Sequence, residues 1–318
     1  MKITDYRTYV VGNKNPGKGG RYFIFVQLIT DGGIVGLGEV YAASFGPHVF
    51  AKMIADVVER HVIGHNPFHI ERLTRRIYGR GFSFRPDISL AGVISGLEMA
   101  CWDIVGKECN KPVYELLGGQ VHEKLRSYTY LYPSQGMGDE FYQDADASAE
   151  VAAQMVAQGY TAIKLDPAGP YSVFDGRQPA LHVLSRCEEF MKKIRAAVGD
   201  RADILFGTHG QFSVSGALRM AEVLQPYKPL WFEEPVPPDM PEAMAKVAKG
   251  TSIPIATGER LCSRFEFQRV LETGAASILQ MDLGRSGGLL ESKKIAGIAD
   301  TYYAHIAPHN YCGPVVGA

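Results

Sequence analysis

The hydrophobic positions of the chain change their spacing after roughly the first third. Up to about residue 120, three stretches of alternating apolar and polar residues precede three stretches with apolar residues at helical spacing. An Asp-Gly-Gly sequence at residues 31–33 predicts a hairpin turn between the second and third strands. Strands followed by helices indicate a small α+β domain over residues 1–120. The predicted strands are residues 6–10, 22–29 and 34–39, and the predicted helices are residues 49–62, 70–78 and 90–106.

From about residue 126 onward, short strand-like runs alternate with amphipathic helical stretches. This order predicts right-handed βαβ units and a parallel sheet. Seven strands and six helices come close to a TIM-like (β/α) barrel, with an open doubly wound sheet as the alternative. No glycine-rich phosphate motif follows the first turns, so we favour the barrel over residues 121–318. The strands are predicted at 127–131, 161–165, 203–206, 230–233, 253–256, 277–280 and 303–307, and the helices at 147–158, 181–197, 214–224, 241–249, 265–272 and 288–299.

Composition narrows the class of protein but names no substrate. The 318 residues suit two domains, and 46% of them are hydrophobic, enough to bury a sizeable core. The net charge of -1 gives no electrostatic signature of nucleic acid or of an anionic membrane as partner. No apolar run approaches the ~20 residues of a membrane span, and the N-terminus lacks a signal-peptide core. The five scattered cysteines show no paired spacing, so we expect a reduced, cytoplasmic enzyme.

Ionisable residues recur where the predicted barrel strands end. In a (β/α) barrel the chemistry lies at the carboxyl ends of the strands. Every predicted strand from the second to the seventh delivers such a group at that end, which favours a functional site there. The groups are Lys164 and Asp166, His209, Glu233 and Glu234, Glu259, Asp282, and His309.

Several of these segments together resemble the mandelate racemase branch of the enolase superfamily. Trp-Phe-Glu-Glu-Pro at 231–235, Ile-Pro-Ile-Ala-Thr-Gly-Glu-Arg at 253–260 and Ala-Pro-His at 307–309 carry the resemblance. Residues 96–107 and 112–119 resemble that branch's capping-domain helix and linker, so the similarity covers essentially the whole chain. Ser-Arg-Phe-Glu-Phe at 263–267 is similar to the galactonate dehydratase group. The resemblance implies a barrel with an N-terminal α+β capping domain.

The resemblance further implies a divalent metal, expected to be Mg²⁺, bound by Glu233 and Glu259. Carboxylate oxygens suit this hard cation. Strand alternation favours Glu233 over Glu234, because Glu233 shares a face with Trp231. The alternative is that both glutamates are solvated loop carboxylates. In the superfamily's scheme, a Lys or His base removes the proton beside a substrate carboxylate and the metal stabilises the resulting ene-diolate.

The same comparison assigns the acid and base roles. His309 is the candidate base, with Asp282 as the acid that orients it, and His209 is the candidate general acid for a departing hydroxyl. Each histidine has a structural alternative, as a residue that orders its own loop. Lys164 is either a second acid/base or a cation facing the substrate carboxylate, and a structural salt bridge with Asp166 is the alternative for both residues.

Two features depart from the family pattern. The strand-three metal ligand is expected two residues before the histidine, where this chain has Gly207. Asp166, His209 or water is then the third ligand, and an Asp introduced at position 207 is expected to tighten Mg²⁺ binding. The element pattern stops after the seventh strand, one helix and strand short of the family barrel. Either the chain is truncated there or a partner chain supplies the closure.

The function expected from these residues is dehydration of an aldonic or aldaric sugar acid to a 2-keto-3-deoxy acid. A racemase, epimerase or lactone cycloisomerase is the alternative, although Lys164-Leu165-Asp166 lacks the second lysine of the Lys-x-Lys racemase pattern. A ligand-binding homologue without catalysis is the third hypothesis. A small carboxylic acid is the expected partner, with no nucleic acid or membrane, and a homo-oligomer is expected. Loops 14–21 and 42–48 are the expected substrate-selective lid.

Overall fold

The computed structural model describes residues 1–14, 19–41, 45–79, 87–134, 136–169 and 178–318. These residues form two compact units, the first made of residues 1–123, 258–268 and 280–318 and the second of residues 124–257 and 269–279.

The strands are β1 Ile3–Gly12, β2 Tyr22–Thr30, β3 Val35–Val40, β4 Thr129–Tyr130, β5 Ala162–Leu165, β6 Asp203–Phe206, β7 Trp231–Glu233, β8 Ile255–Thr257, β9 Ile278–Leu279 and β10 His305–Ile306. The helices are α1 Pro47–Val57, α2 Ile70–Gly79, α3 Ile88–Cys109, α4 Val113–Leu116, α5 Ala145–Ala157, α6 Leu181–Val198, α7 Val214–Leu224, α8 Pro241–Gly250, α9 Ser263–Thr273, α10 Leu289–Thr301 and α11 Pro314–Gly317. The predicted domain boundary at residue 120 stays a prediction.

The first unit contains the antiparallel sheet β1–β2–β3, in that order. Alternate side chains of β2, at Ile24, Val26 and Leu28, are fully buried, as the sequence pattern predicts. They join a core to which α1, α2 and α3 contribute apolar side chains. The predicted strands and the hairpin turn at residues 31–33 are confirmed.

Helix α3 packs directly on the backbone of β3 because glycines line the contact. A Cβ built on Gly36 would lie 2.0 Å from the carbonyl oxygen of Ala100, and one built on Gly38 would lie 1.8 Å from that of Gly96. Both distances are far below a van der Waals contact, so no L-side chain fits at either strand position without separating helix from strand. This close approach fixes α3 against the sheet.

The same helix is the longest in the part of the chain that the structure describes. Its start is capped by Asp87, whose carboxylate accepts hydrogen bonds from the backbone N–H groups of Ser89 and Leu90. It ends at Asn110, which adopts the left-handed conformation with φ of 52°. By length and composition alone α3 could cross a membrane, and 67% of its most apolar window is buried inside the protein. Such burial is typical of a core helix.

A buried carboxylate on α3 holds the start of α10 in the first unit. Glu98 accepts hydrogen bonds from the indole Nε1–H of Trp102 at 2.8 Å and from the backbone N–H groups of Leu289 and Leu290 at 2.8 and 2.9 Å. Burial disfavours the charged form and raises the pKa of Glu98 to about 7, while the three donors act in the opposite direction. Burial outweighs the hydrogen bonds at this position.

The raised pKa of Glu98 makes the stability of the first unit pH-dependent. The pKa of Glu98 is higher in the folded protein than in the unfolded chain. Its contribution to stability is therefore fully present below the unfolded pKa and is lost as the pH rises through about 7. As the pH rises from 5 to 8, we expect the free energy of unfolding of wild type to fall by about 3 kcal/mol relative to that of the Glu98→Gln variant. Urea denaturation at both pH values measures this. Glu108→Gln, an exposed change on the same helix, is the control. Equal pH dependence in wild type and Glu98→Gln contradicts the assignment.

The second unit contains six parallel strands, β4 to β9, in sequential order. Helices α5, α6, α7 and α8 connect them, and neighbouring helices pack on each other. Strand, helix, strand repetition with sequential strand order is the arrangement of a (β/α) barrel. The carboxyl ends of these strands lie along one edge, which positions the loops that follow β5, β6 and β7 for a common role.

Candidate active site

In the first unit, His309 and Asp282 lie side by side as a parallel β-bridge pair. The imidazole Nδ1 is 2.7 Å from Asp282 Oδ2. Asp282 is fully buried, and its other oxygen accepts a hydrogen bond from the backbone N–H of Gly284 at 2.8 Å. An ionised carboxylate only accepts hydrogen bonds, so the His309 Nδ1–H donates to it. This fixes the tautomer and makes Nε2 the nitrogen that takes up a proton.

A second carboxylate lies at that other nitrogen. Glu259 Oε2 is 3.3 Å from His309 Nε2, and the side chain of Glu259 is 9% exposed. The backbone carbonyl of Glu259 accepts a hydrogen bond from Arg285 at 2.8 Å, which holds the residue in place. Asp282 and Glu259 thus flank the two ring nitrogens of His309.

Sequence reasoning missed two side chains near this pair, Tyr41 and Arg285. The ring of Tyr41 stacks on the imidazole with centroids 5.9 Å apart, and Arg285 lies 4.0 Å from the Tyr41 ring centroid. Burial raises the pKa of Tyr41, so its phenol stays neutral. The position of Arg285, three residues after Asp282 at the same strand end, was the available signal. Of the expected lid loops, residues 15–18 and 42–44 lie outside the described residues.

The aromatic neighbours of His309 border a cavity of about 210 Å³ in the first unit. Its lining combines one cation, Arg21, one carboxylate, Glu39, and the side chains of Tyr41 and Tyr311. The ring of Tyr311 also contacts His309, with centroids 6.4 Å apart. A cavity lined by charges and phenol groups suits a small, polar, hydroxylated molecule.

In the second unit, Lys164 and Glu233 form a buried ion pair. Their side chains are 6% and 0% exposed, and the ammonium group contacts Glu233 Oε1 directly. The other oxygen, Oε2, accepts a hydrogen bond from the indole of Trp231 at 3.0 Å, as expected for residues on one strand face. Glu234 contacts a different partner, the hydroxyl of Thr257, at 3.3 Å.

Asp166 and His209 also lie together in the second unit. His209 Nδ1 is 3.8 Å from Asp166 Oδ2, a distance too long for a hydrogen bond. The side chain of His209 is 25% exposed and that of Asp166 is 5% exposed. The place beside Gly207 is already filled, because a Cβ there would lie 1.6 Å from Asp166 Oδ1. An Asp introduced at 207 would therefore have to displace the Asp166 side chain, and the expected tightening of Mg²⁺ binding stays a prediction.

Carboxylate oxygens are the donors that a hard divalent cation prefers. Three such carboxylates have buried side chains: Glu233 and Asp166 in the second unit and Glu259 in the first. The Lys164 ammonium, a positive charge, already contacts Glu233. Within the described ranges, no group of three or more His, Cys, Asp and Glu side chains is arranged to hold a metal ion. The roles of Glu233 and Glu259 as ligands therefore stay a prediction.

All five cysteines, each in a described part of the chain, are free thiols. Burial raises the pKa of Cys187 to about 12, and it raises the pKa of Cys101 as well. Protonated, buried thiols are inert toward oxidants. Cys312 lies in the site of the first unit, with its Sγ 4.0 Å from Asp282 Oδ1.

Comparison with known proteins identifies the family. Residues 17–118 match the mandelate racemase / muconate lactonizing enzyme N-terminal domain, and residues 147–318 match the enolase C-terminal domain-like family. The chain belongs to the enolase superfamily, in its mandelate racemase/muconate lactonizing enzyme branch. The resemblance seen in the sequence and the predicted fold class, a (β/α) barrel with an α+β capping domain, are confirmed.

Named relatives and solved structures agree with this membership. A D-galactonate dehydratase of Ralstonia nicotianae is 36% identical over 99% of this chain and 76% of its own length. A D-xylonate dehydratase of Haloferax volcanii is 34% identical over 99% of this chain and 73% of its own length. The crystal structure of a mandelate racemase/muconate lactonizing enzyme from Sulfitobacter sp. is 54% identical with a TM-score of 0.97, covering 99% of this chain and 80% of that one.

Proposed function

We propose that the protein dehydrates an aldonic or aldaric sugar acid to a 2-keto-3-deoxy acid. The observation that carries the proposal is the His309–Asp282 pair, in which a buried carboxylate fixes the histidine as a base. The named dehydratase relatives support the reaction class, and the polar cavity beside Tyr41 and Tyr311 supports a hydroxylated substrate.

In the proposed reaction His309 Nε2 takes the proton from the carbon next to the substrate carboxylate. The electron pair of that C–H bond forms the double bond of an enol, and the C–O bond at the neighbouring carbon breaks. His209 donates a proton to the departing hydroxyl, which leaves as water. The enol then takes up a proton at the carbon that lost the hydroxyl and becomes the 2-keto acid. Substrate thus loses one water molecule, and both histidines return to their starting states by proton exchange with solvent.

Glu233 and Glu259 are the residues we propose as ligands of Mg²⁺. The ion, when bound, would neutralise the negative charge that develops on the substrate carboxylate as the proton leaves. Asp282 holds the His309 ring in the productive tautomer throughout. Lys164 neutralises Glu233, and we propose that its ammonium also faces the substrate carboxylate.

The reaction leaves an isotopic record that tests the proposal. In deuterated water with Mg²⁺, D-galactonate and D-xylonate, the acids named in two relatives, are the first substrates to supply. We expect a 2-keto acid, detected with a carbonyl reagent, that carries deuterium at the carbon that lost the hydroxyl. A wider set of aldonic and aldaric acids follows if neither reacts.

Three outcomes separate the competing functions. Exchange of the proton beside the carboxylate without keto acid formation contradicts dehydration and favours racemisation or epimerisation. Formation of a lactone isomer favours cycloisomerisation. Saturable binding of sugar acids with neither exchange nor product contradicts catalysis and favours a ligand-binding protein.

A further inference from the structure

The segment that follows His309 in the chain lies against both members of the His309–Asp282 pair. The centroid of the Tyr311 ring is 6.4 Å from that of the imidazole, and Cys312 Sγ is 4.0 Å from Asp282 Oδ1. Tyr311 and Cys312 also line the cavity of about 210 Å³ in the first unit. The position of this segment therefore shapes both the surroundings of the candidate base and the space beside it.

Apolar packing alone does not hold this segment in place. The structure describes all of residues 310–318, and none of them is buried or belongs to the hydrophobic core of the first unit. A segment with so little buried surface opens easily unless polar contacts fix it.

A buried carboxylate on β3 supplies such contacts. Glu39 is 1% exposed, and its two oxygens accept hydrogen bonds from three backbone N–H groups of the segment. Oε1 accepts from Gly313, and Oε2 accepts from Val315 and Val316 at 3.1 Å each. A buried carboxylate is costly unless hydrogen bonds satisfy it, so the Glu39 side chain and the segment depend on each other.

The backbone of Gly313 approaches Glu39 more closely than a side chain at this position would allow. A Cβ built on Gly313 would lie 2.8 Å from Glu39 Oε1 and 3.2 Å from Phe23 Cδ1. The φ of Gly313 is -88°, so its backbone conformation does not itself require glycine. Glycine suits this position because the carboxylate comes so close to the chain.

We propose that Glu39 is a positioning residue of the candidate active site, which holds residues 313–316 so that Tyr311 stays against His309 and Cys312 against Asp282. The inference rests on the proposed function, because that function assigns His309 as the base. Glu39 acts through the backbone of the segment and not on the reacting atoms. Release of the segment would loosen the packing around the imidazole and open one wall of the cavity.

A purely structural role for Glu39 predicts a different pattern. Its removal would then lower the free energy of unfolding and the fraction of folded enzyme, so kcat per total enzyme would fall while KM stayed constant. A positioning role predicts a lower kcat per folded molecule and a higher KM. It also predicts changes at Cys312 and His309 in the protein without substrate.

Alkylation of the full chain with iodoacetamide, followed for each cysteine by mass spectrometry, tests the attachment. In Glu39→Ala we expect Cys312 to react roughly tenfold faster than in wild type, because the released segment exposes the thiol. Exposed Cys109 should react equally fast in both proteins, and buried Cys187 should stay slow, which shows that the fold is intact. Glu39→Gln keeps one oxygen as acceptor, so its Cys312 should react at an intermediate rate.

NMR of the same proteins with isotope-labelled histidine reports on the base itself. The Nδ1–H of His309 donates to buried Asp282 at 2.7 Å, so its proton resonance should lie far downfield and exchange slowly with water. The His309→Asn variant identifies this resonance by its absence. In Glu39→Ala we expect its exchange to be roughly tenfold faster, and dehydration assays should show a roughly tenfold lower kcat per folded molecule with a severalfold higher KM.

Glu98→Gln is the matched control for the loss of a buried charge. Glu98 is also 1% exposed and also accepts hydrogen bonds from two backbone N–H groups, those of Leu289 and Leu290. This variant should leave the alkylation of Cys312, the His309 resonance and kcat as they are in wild type.

The outcomes decide the inference whatever the substrate proves to be. Wild-type alkylation of Cys312 or an unchanged His309 resonance in a folded Glu39→Ala variant overturns it, and so do unchanged values of kcat and KM. If Glu39→Ala does not fold, Glu39→Gln is judged by the same criteria. Faster alkylation together with the altered resonance, in a chain that dehydrates no sugar acid, would support the positioning role and contradict only the proposed reaction.

Discussion

The His309→Asn variant is expected to lose about 10³-fold in kcat for keto acid formation while it still binds substrate. Asparagine preserves a hydrogen-bond donor toward Asp282, which lies 2.7 Å from His309 Nδ1, but it cannot take up a proton at neutral pH. Steady-state assays of keto acid formation and direct measurement of substrate binding separate turnover from affinity. Exchange of the substrate proton with deuterated water should be lost in parallel.

Two companion variants sharpen the test of His309. Asp282→Asn should reduce kcat less, by roughly ten- to hundredfold, because it disturbs orientation and basicity without removing the base. His305→Asn changes an exposed histidine on β10 and should leave kcat unchanged. Turnover in His309→Asn at the wild-type rate would end the assignment of His309 as base.

The Glu233→Gln variant is expected to lose about 3 kcal/mol of unfolding free energy in the presence of a chelator. The substitution removes the carboxylate that contacts the Lys164 ammonium, a charge that is only 6% exposed. Urea denaturation with the metal removed isolates this effect from any loss of bound ion. The variant should also lose dehydratase activity, because the proposed metal ligand is gone.

A double variant tests whether the cost comes from the uncompensated charge. Lys164→Met/Glu233→Gln removes both charges and keeps an amide oxygen for the Trp231 indole, so most of the lost stability should return, while activity should not. Asp203→Asn breaks the exposed Arg126–Asp203 pair and should cost under about 1 kcal/mol. A Glu233→Gln variant as stable as wild type would show that the pair does not stabilise this unit.

Most elements were predictable because their signal is local. The β2 strand alternates over nine residues, and the predicted and observed bounds differ by one residue at one end. Helices α7 and α8 were equally clear. Among the parallel strands β6 has its predicted bounds, whereas β9 and β10 have only two residues each, because the apolar alternation extends into the loops at both ends. The predicted helix at 49–62 changes to a π-helical turn at Val58–Val62, a hydrogen-bond shift that apolar spacing does not encode.

The site was predictable as a list of residues but not as a set of contacts. The resemblance to the family predicted the pairing of His309 with Asp282. An ion pair of Lys164 with Asp166, two residues away, was one predicted alternative, and it stays a prediction. The ion pair of Lys164 with Glu233, 69 residues away, was not predicted. Sequence separation of that size carries no pairing signal. The collision between Asp166 and a side chain at 207 likewise requires coordinates, since it depends on how two strands lie in register.

The bond from Glu98 to the start of α10 constrains the order in which this protein is made. The two ends of that contact are separated by 191 and 192 residues of chain. During synthesis at ~5–20 residues per second, α3 emerges many seconds before Leu289 and Leu290 can reach it. During this interval the Glu98 carboxylate and the apolar surface around it are exposed to solvent. The hydrogen bonds from Leu289 and Leu290 to Glu98 therefore form late, after the apolar core of residues 3–105 has already been synthesised.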